Sequence, residues 1–270
     1  MQLPDEQHTN FQHACSFTGI DSWQPLSHQG SSNYLFRAKH SQQLLRINAS
    51  PERAVGVCRS RETSIMQLLQ RHTWMVEVIE NQPDNGWCYL KDYGDQPEAA
   101  IEKAAKHQLL EIITELQKIP VTATDLNFEF GAIWSTYEQI VSDNQDNPLK
   151  QQACIALSNE LNETKRLQQQ LPTTPKVLGH QDLHLGNLTL DGTQLILLDW
   201  EYAGICQPWL DAAGLISKFS YTPAEVNQLP AFQHLNSQSF ATAIDIAQRF
   251  NNQLEVLWLQ AREISDTGKQ

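Results

Sequence analysis

Residues 180–187 read HQDLHLGN, and residues 199–201, a short segment later, read DWE. Phosphoryl transfer needs one carboxylate that orients a hydroxyl group and accepts its proton, together with oxygen ligands that hold Mg²⁺ against the phosphates of ATP. Asp182, Asn187 and Asp199 carry side chains of these types. The two stretches therefore predict the machinery of a phosphotransferase.

The segment between the two stretches predicts how these side chains come together. Two short apolar runs flank the dipeptide Asp191-Gly192, which favours a two-residue hairpin turn. Because a hairpin brings its flanks side by side, we expect Asn187 and Asp199 at its open end, with Asp182 in the loop just before it. Each residue alone is a common turn former, so only the combination indicates a metal site.

Residues 178–214 resemble the catalytic region of the aminoglycoside phosphotransferase and choline kinase superfamily, and are most similar to bacterial thiamine kinases and choline/ethanolamine kinases. The resemblance implies that Asp182 is the catalytic base and that Asn187 and Asp199 bind Mg²⁺. It implies that Glu201 binds a second metal or supports the first. The cofactors implied are ATP and Mg²⁺.

The same resemblance implies an α+β, two-lobed, protein-kinase-like fold. We expect residues 1–92 to form a small nucleotide-binding lobe, with an antiparallel sheet and one main helix. Residues 93–270 are then a larger, mostly helical lobe that carries the catalytic and substrate-binding residues. Apolar patterns and turn signals give further bounds: strands at 33–38, 43–48, 75–79 and 87–91, and helices at 59–70, 101–120, 132–143, 149–171 and within 223–264.

A second group of residues is predicted to contact the nucleotide. Arg46 stands where kinases place the lysine that contacts the phosphates, and Glu62 in the following helix is its natural partner in a charge-assisted pair. The alternative is an edge-strand arginine and a solvated glutamate. Five more residues are expected beside the phosphates or the adenine: Ser31, Ser32, Asn33, Tyr89 and Leu90.

In relatives the acceptor pocket forms between the catalytic loop and the C-terminal helices. An aromatic and acidic cage for a cationic ring or a quaternary ammonium is predicted from these residues: Trp200, Tyr202, Trp209, Trp258, Asp245 and Glu255. Each aromatic residue fits a hydrophobic core equally well. Asp211 is expected to cap a helix or steady the catalytic loop, with substrate contact as the alternative. Gln207 replaces an acid that the family usually carries, which leaves the metal site untouched.

Composition and charge restrict the partners. A net charge of −12 disfavours nucleic acid and anionic membranes, and suits a cationic substrate, although acidic surfaces also promote solubility. No segment reads as membrane-spanning, and residues 1–10 lack the pattern of a secretory signal. The five cysteines are scattered, without the spacing of a disulfide framework or a zinc ribbon. We therefore expect a cytoplasmic protein. The oligomeric state is not indicated.

The combined interpretation is an ATP- and Mg²⁺-dependent kinase that acts on the hydroxyl of a small metabolite, with choline, ethanolamine or thiamine as acceptor. An aminoglycoside or other amino sugar is the alternative acceptor. Two other classes stay open: a nucleotide-binding pseudokinase that transfers nothing, and a zinc hydrolase that uses His180, Asp182 and His184. The zinc interpretation lacks a second ligand cluster with suitable spacing.

Overall fold

A five-stranded sheet forms the N-terminal part of the computed structural model, which describes residues 3–20, 22–27, 30, 32–120 and 123–266. Its strands lie in the order β1-β2-β3-β5-β4, and every neighbouring pair is antiparallel. The bounds are β1 (Trp23–Pro25), β2 (Asn33–Ala38), β3 (Gln43–Asn48), β4 (Val78–Gln82) and β5 (Trp87–Lys91). The predicted hairpin at 33–38 and 43–48 is present with these bounds.

Side chains alternate between the two faces of this sheet. One face, which carries Tyr34, Leu45 and Trp87, packs against helix α1 (Asp5–Thr18). The sequence pattern does not predict α1, because the helix buries no more than Gln7 and Ala14 and therefore has no continuous apolar stripe. The polar start of the chain is thus a helix that covers the outer face of the sheet.

The opposite face of the sheet carries Arg46, Cys88 and Leu90 and packs against helix α2 (Arg59–Leu69). The α2 side chains that reach this core are Ile65, Met66 and Leu69, all of them buried. Arg46 is therefore held between a strand and a helix, which gives its guanidinium group a fixed position at the inner side of the sheet.

The strand predicted at 75–79 begins later in the structure, at Val78. Met75 forms a parallel bridge to Leu197 instead, and the backbone N–H of Leu197 donates to the carbonyl oxygen of Trp74 at 2.8 Å. The apolar residues before Val78 therefore join the sheet part to the catalytic hairpin. An apolar run of this kind fits a sheet strand and a contact with the hairpin equally well, which explains why the strand was predicted to begin at residue 75 and not at Val78.

The C-terminal part is mostly helical. Helix α3 (Glu98–Lys118) begins after Pro97 and buries the predicted stripe of Ile101, Ala105, Leu109, Ile112 and Leu116. The other helices are α4 (Phe130–Asn144), α5 (Gln151–Gln170), α6 (Trp209–Phe219), α7 (Pro223–Val226) and α8 (Ser237–Asp266). Two small two-stranded antiparallel sheets lie among them: β6 (Val177–Gly179) with β9 (Gly204–Cys206), and the hairpin of β7 (Leu188–Asp191) with β8 (Gln194–Leu197). The predicted α+β kinase-like class is confirmed.

One hydrophobic core runs from the inner face of the sheet into the helical part. It joins Leu69 and Leu90 to Leu109, Leu195 and Ala212, so α2, α3, α6 and the β7–β8 hairpin share it. The sheet ends at Lys91 and α3 begins at Glu98. A lobe boundary near residue 92 remains our proposal. Among the described helices, none combines the length and hydropathy required to cross a membrane.

Candidate active site

The β7–β8 hairpin places Asn187 and Asp199 at its open end. Its last pair joins Leu188 to Leu197, and beyond it the backbone N–H of Leu198 donates to the carbonyl oxygen of Asn187 at 2.9 Å. Asp199 follows directly. The turn consists of Gly192 and Thr193, one residue later than predicted, because Asp191 pairs with Gln194. Gly192 has a φ of +60°, a conformation that glycine adopts without steric cost.

Asp182 lies in the loop before the hairpin and is held by two side chains. The amide nitrogen of Asn187 donates to Asp182 Oδ2 at 2.8 Å and to the Asp182 carbonyl oxygen at 3.0 Å. His184 Nε2 lies 3.5 Å from the same Oδ2. Burial alone would raise the pKa of the Asp182 carboxyl, but the contacts with His184 and Asn187 outweigh it and lower the pKa below the ordinary value. Asp182 is therefore ionised at neutral pH.

The loop that carries Asp182 is held in place by Asp211, through the backbone of the two residues before Asp182. The Asp211 carboxylate is fully buried and accepts the backbone N–H groups of His180 at 2.9 Å and Gln181 at 2.7 Å. Burial raises its pKa to about 6, although these two hydrogen bonds act in the opposite direction. Gly179 is needed beneath it, since a Cβ there would lie 2.8 Å from Asp211 Oδ2. Asp211 thus shapes the loop, and the alternative of substrate contact does not fit its position.

His180 and His184 support the loop. His180 Nε2 lies 2.8 Å from the carbonyl oxygen of Leu198, so this nitrogen carries the proton, and burial lowers the pKa of the ring. His184 Nδ1 accepts the backbone N–H of Gly186 at 3.1 Å. Within the described part of the chain, no three His, Cys, Asp or Glu side chains converge as a metal site. His180 Nε2 and His184 Nδ1 are therefore occupied by backbone groups, which disfavours the zinc hydrolase interpretation.

Asp199 is a carboxylate that shares its cation, Arg46, with Glu62. Its φ of +54° is left-handed, a strained conformation for a residue other than glycine. Its Oδ1 is buried and accepts no hydrogen bond, and Arg46 Nη1 lies 3.7 Å away. Burial, followed by the nearby charge of Glu201, raises the pKa of Asp199 well above its ordinary value. A bound divalent cation would offset both the burial of the Asp199 charge and its repulsion by Glu201, so the residues present fit a metal ion at this position.

Arg46 and Glu62 form the predicted ion pair. Arg46 Nη1 and Nη2 donate to the two carboxylate oxygens of Glu62 at 2.5 and 3.0 Å, and both side chains are buried. Burial acts to raise the pKa of Glu62, but Arg46 and Arg59 together lower it below the ordinary value. This two-pronged geometry fixes the guanidinium group between the sheet and α2.

Glu201 is occupied by donors from the sheet part of the molecule. Its carboxylate accepts the hydroxyl of Ser32, the amide of Asn33 at 2.9 Å and the guanidinium of Arg59 at 3.1 Å. The prediction that the Ser32 and Asn33 side chains face the phosphates does not agree with these contacts, because both point to Glu201. Ser31 lies outside the described residues. Arg59 was not singled out from the sequence, although it begins the basic run before Glu62.

The two residues predicted beside the adenine lie on opposite faces of the sheet. Leu90 shares the face of Arg46 and pairs with Leu44. Tyr89 points to the α1 face, where its ring meets Trp23 edge-on with centroids 6.0 Å apart. Period-two alternation forces this difference between neighbours. A nucleotide contact by the Tyr89 side chain is therefore ruled out, and Leu90 remains a proposed contact.

A cavity of about 490 Å³ opens beside the catalytic loop. Asp182 and His184 border it on one side, and Tyr202, Trp258 and Glu255 line it as predicted. Three further aromatic residues of its wall were not predicted as site residues: Phe128, Phe130 and Tyr137. The short run FEF at 128–130 was the available signal, but such a run reads equally as a strand or a core segment.

Two predicted pocket tryptophans belong to the core instead. Trp200 is almost fully buried, donates its indole N–H to the carbonyl oxygen of Leu197 at 3.2 Å and packs against His180. Trp209 donates its indole N–H to the carbonyl oxygen of Pro172 at 3.0 Å and packs against Phe232. Asp245 is exposed and does not line the cavity. We assign no acceptor contact to Trp200, Trp209 or Asp245.

The sequence model of the phosphotransferase enzyme family (APH) matches residues 22–245, so the chain belongs to this family. A comparison with curated protein sequences finds no match.

Three solved structures illustrate the shared fold. The choline kinase LicA from Streptococcus pneumoniae is similar with a TM-score of 0.65 and 16% identity, over 96% of this chain and 92% of that chain. The ethanolamine kinase Pv091845 from Plasmodium vivax gives a TM-score of 0.66 and 14% identity, over 97% of this chain and 82% of that chain. The aminoglycoside phosphotransferase APH(2")-IIa, in a ternary complex with streptomycin and ATP, gives a TM-score of 0.62 and 14% identity, over 99% of this chain and 95% of that chain.

Proposed function

We propose that this protein is an ATP- and Mg²⁺-dependent kinase that phosphorylates the hydroxyl group of a small, cationic metabolite. The observation that carries the proposal is the position of Asp182: its carboxylate borders the acceptor cavity and is bonded to Asn187, at the end of the hairpin that also presents Asp199. The proposed base therefore lies at the cavity, next to the end of the hairpin that carries both proposed metal ligands.

In this mechanism Asp182 acts on the acceptor hydroxyl. Asn187 and His184 hold Oδ2, which leaves Oδ1 to accept a hydrogen bond from the hydroxyl and then its proton. Asp199 and the amide oxygen of Asn187 would hold Mg²⁺, which would offset the negative charge of the nucleotide phosphates. Arg46, fixed by Glu62, would contact the nucleotide phosphates. We do not include Glu201 among the ligands, since its carboxylate is already occupied.

The lining of the cavity supports choline, ethanolamine or thiamine as acceptor. Aromatic rings surround it, and cation–π contacts contribute about 0.5–2 kcal/mol each. Glu255 supplies one acidic side chain besides Asp182, whereas Lys218 on the rim is basic. One face of Trp258 is covered by Arg262, whose guanidinium lies 4.6 Å from the ring centroid, so the other face is the one available to a ligand.

An amino sugar is the alternative acceptor, because one of the similar structures contains streptomycin. Such a polycation would find few carboxylates in this cavity, where the acidic residues are Asp182 and Glu255. We therefore place the alternative second. The cytoplasm remains the proposed location, in line with the absence of disulfide bonds among the five cysteines, all of which lie in the described part of the chain.

The test is a survey of ADP formation from ATP with choline, ethanolamine, thiamine and kanamycin as acceptors, with Mg²⁺ present. We expect acceptor-dependent turnover with one of the first three, and its loss in Asp182→Asn. Turnover with kanamycin alone would select the amino-sugar alternative. ATP binding without turnover on any compound would favour the pseudokinase.

A further inference from the structure

Arg59, the first residue of α2, connects three separate elements through one guanidinium group. Its Nη1 lies 2.9 Å from Glu62 Oε2 and 3.1 Å from Glu201 Oε2. Its Nη2 donates to Asn33 Oδ1 at 2.8 Å and lies 3.4 Å from the carbonyl oxygen of Ser32. A single cation therefore joins the start of β2, helix α2 and the turn that follows Asp199.

Glu201 is the other half of this arrangement. Its side chain is 2% exposed, and the donors around it come from residues 32, 33 and 59, all from the sheet part. Glu201 itself lies two residues after Asp199, in the short turn Trp200–Tyr202. The turn that carries the proposed metal ligand is thus fastened to the base of the segment expected to cover the phosphates.

Negative and positive side chains alternate along a path from Asp199 to Glu201, and the chain itself connects these two carboxylates. Asp199 faces Arg46 at 3.7 Å, Arg46 pairs with Glu62, and Glu62 shares Arg59 with Glu201, which returns to Asp199 along the chain. Removing Arg59 would leave two buried carboxylates, those of Glu62 and Glu201, with one cation fewer between them. Buried carboxylates without a matching cation are costly, so the path would rearrange and not simply lose one contact.

We propose that Arg59 is a positioning residue, which acts through Glu201 to align Asp199 and the base of the phosphate-covering segment for the metal-bound nucleotide. Glu201 is then an anchor of the turn and not a metal ligand. This inference rests on the proposed function, because it concerns how the same site holds its nucleotide.

The experiment measures the dissociation constant of ATP with Mg²⁺ by calorimetry, the KM of the acceptor, and the Mg²⁺ dependence of turnover. We expect Arg59→Gln to weaken nucleotide binding by roughly 10- to 100-fold, while the acceptor KM stays within about twofold, since Arg59 lies outside the acceptor cavity. Arg59→Lys should recover only part of the loss, because one ammonium cannot replace a planar group with several fixed donors. This milder variant also guards against misfolding of the first.

Glu201→Gln separates anchoring from metal binding. If Glu201 is an anchor, Glu201→Gln should weaken nucleotide binding to the same degree as Arg59→Gln. The double variant should then bind the nucleotide little more weakly than either single variant. The Mg²⁺ concentration for half-maximal turnover should change much less than in Asp199→Asn. If it changes as much as in Asp199→Asn, Glu201 is a metal ligand and the inference is wrong.

The matched control is Arg166→Gln. Arg166 also pairs with a glutamate at a spacing of three residues, at 2.6 Å from Glu163, but its side chain is 57% exposed. It should leave all three measurements unchanged. Equal nucleotide affinity of wild type and Arg59→Gln would overturn the inference while the proposed function stands. Failure of the wild type to bind ATP with Mg²⁺ would overturn both.

Discussion

The free energy of unfolding of Asp211→Asn, compared with that of the wild type, should increase as the pH rises. The Asp211 carboxylate is fully buried, and burial raises its pKa to about 6, whereas an unfolded aspartate titrates near 3.9. A folded-state pKa above the unfolded value means that the native state binds the proton more tightly. The stability that this proton contributes is present at low pH and is lost as the pH rises through about 6.

The size of the effect follows from these two pKa values. Between pH 5 and pH 8 the wild-type protein should lose about 1.4 kcal/mol of unfolding free energy through Asp211, a contribution that Asp211→Asn lacks. At pH 5 both oxygens of the protonated carboxyl can still accept the two backbone N–H groups, whereas the asparagine NH2 group only donates, so Asp211→Asn should be the less stable protein at this pH. The difference should shrink by about 1.4 kcal/mol by pH 8.

Urea unfolding of wild type and Asp211→Asn at pH 5 and pH 8 measures the difference directly. Asp146→Asn, an exposed aspartate replaced in the same way, is the control and should show no such pH dependence. A stability difference between wild type and Asp211→Asn that does not change with pH, or that changes in the opposite direction, would refute the reasoning.

The same substitution should lower turnover at neutral pH. The ionised carboxylate accepts two backbone N–H groups, from His180 and Gln181, and an amide oxygen cannot hold both in the same way. Charge-assisted hydrogen bonds contribute about 1.5–3 kcal/mol each, so the loop that presents Asp182 should lose part of its order.

Four further outcomes follow from the structure. Asp182→Asn should lower kcat by roughly 10²- to 10⁴-fold with little change in ATP affinity, and near-normal turnover would remove Asp182 from the base role. Gly204→Ala should destabilise the protein by about 1–3 kcal/mol, because the new Cβ would lie 2.6 Å from the Cβ of Phe128. Gly131→Ala should instead stabilise helix α4 by about 0.5–1 kcal/mol, because no atom lies within 4 Å of a Cβ built there. Equal effects of the two glycine substitutions on thermal unfolding would contradict both predictions. Arg46→Met should cost about 3 kcal/mol in urea unfolding by leaving a buried carboxylate short of a cation, and a neutral result would contradict the buried pair.

Local patterns predicted the parts of the fold that depend on neighbours in sequence. The β7–β8 hairpin follows from a turn dipeptide between two apolar runs, and α3 from a stripe repeated at helical spacing. The Arg46 and Glu62 pair followed from a family pattern that places one residue on a strand and the other on the next helix. Each of these features was recognisable within about 30 residues of sequence.

Features that depend on distant contacts could not be predicted in this way. Trp200 and Tyr202 are two residues apart and equally aromatic, yet one fills the core and the other lines the cavity. The burial of Glu201 is decided by residues 32, 33 and 59, far away in sequence. Helix α1 buries only Gln7 and Ala14 fully, and its Phe11 and Phe17 contact Phe36 and Trp87 of the sheet, which are distant in sequence.

The metal site is tested most directly by titrating Mn²⁺ into the protein with ATP present and following free Mn²⁺ by electron paramagnetic resonance. Asp199→Asn should weaken metal binding by at least about tenfold, since even the loss of a residue behind the ligands costs 10- to 100-fold. Asp182→Asn should bind Mn²⁺ and ATP nearly as well as wild type. Wild-type metal affinity in Asp199→Asn would contradict the assignment of Asp199 as a metal ligand.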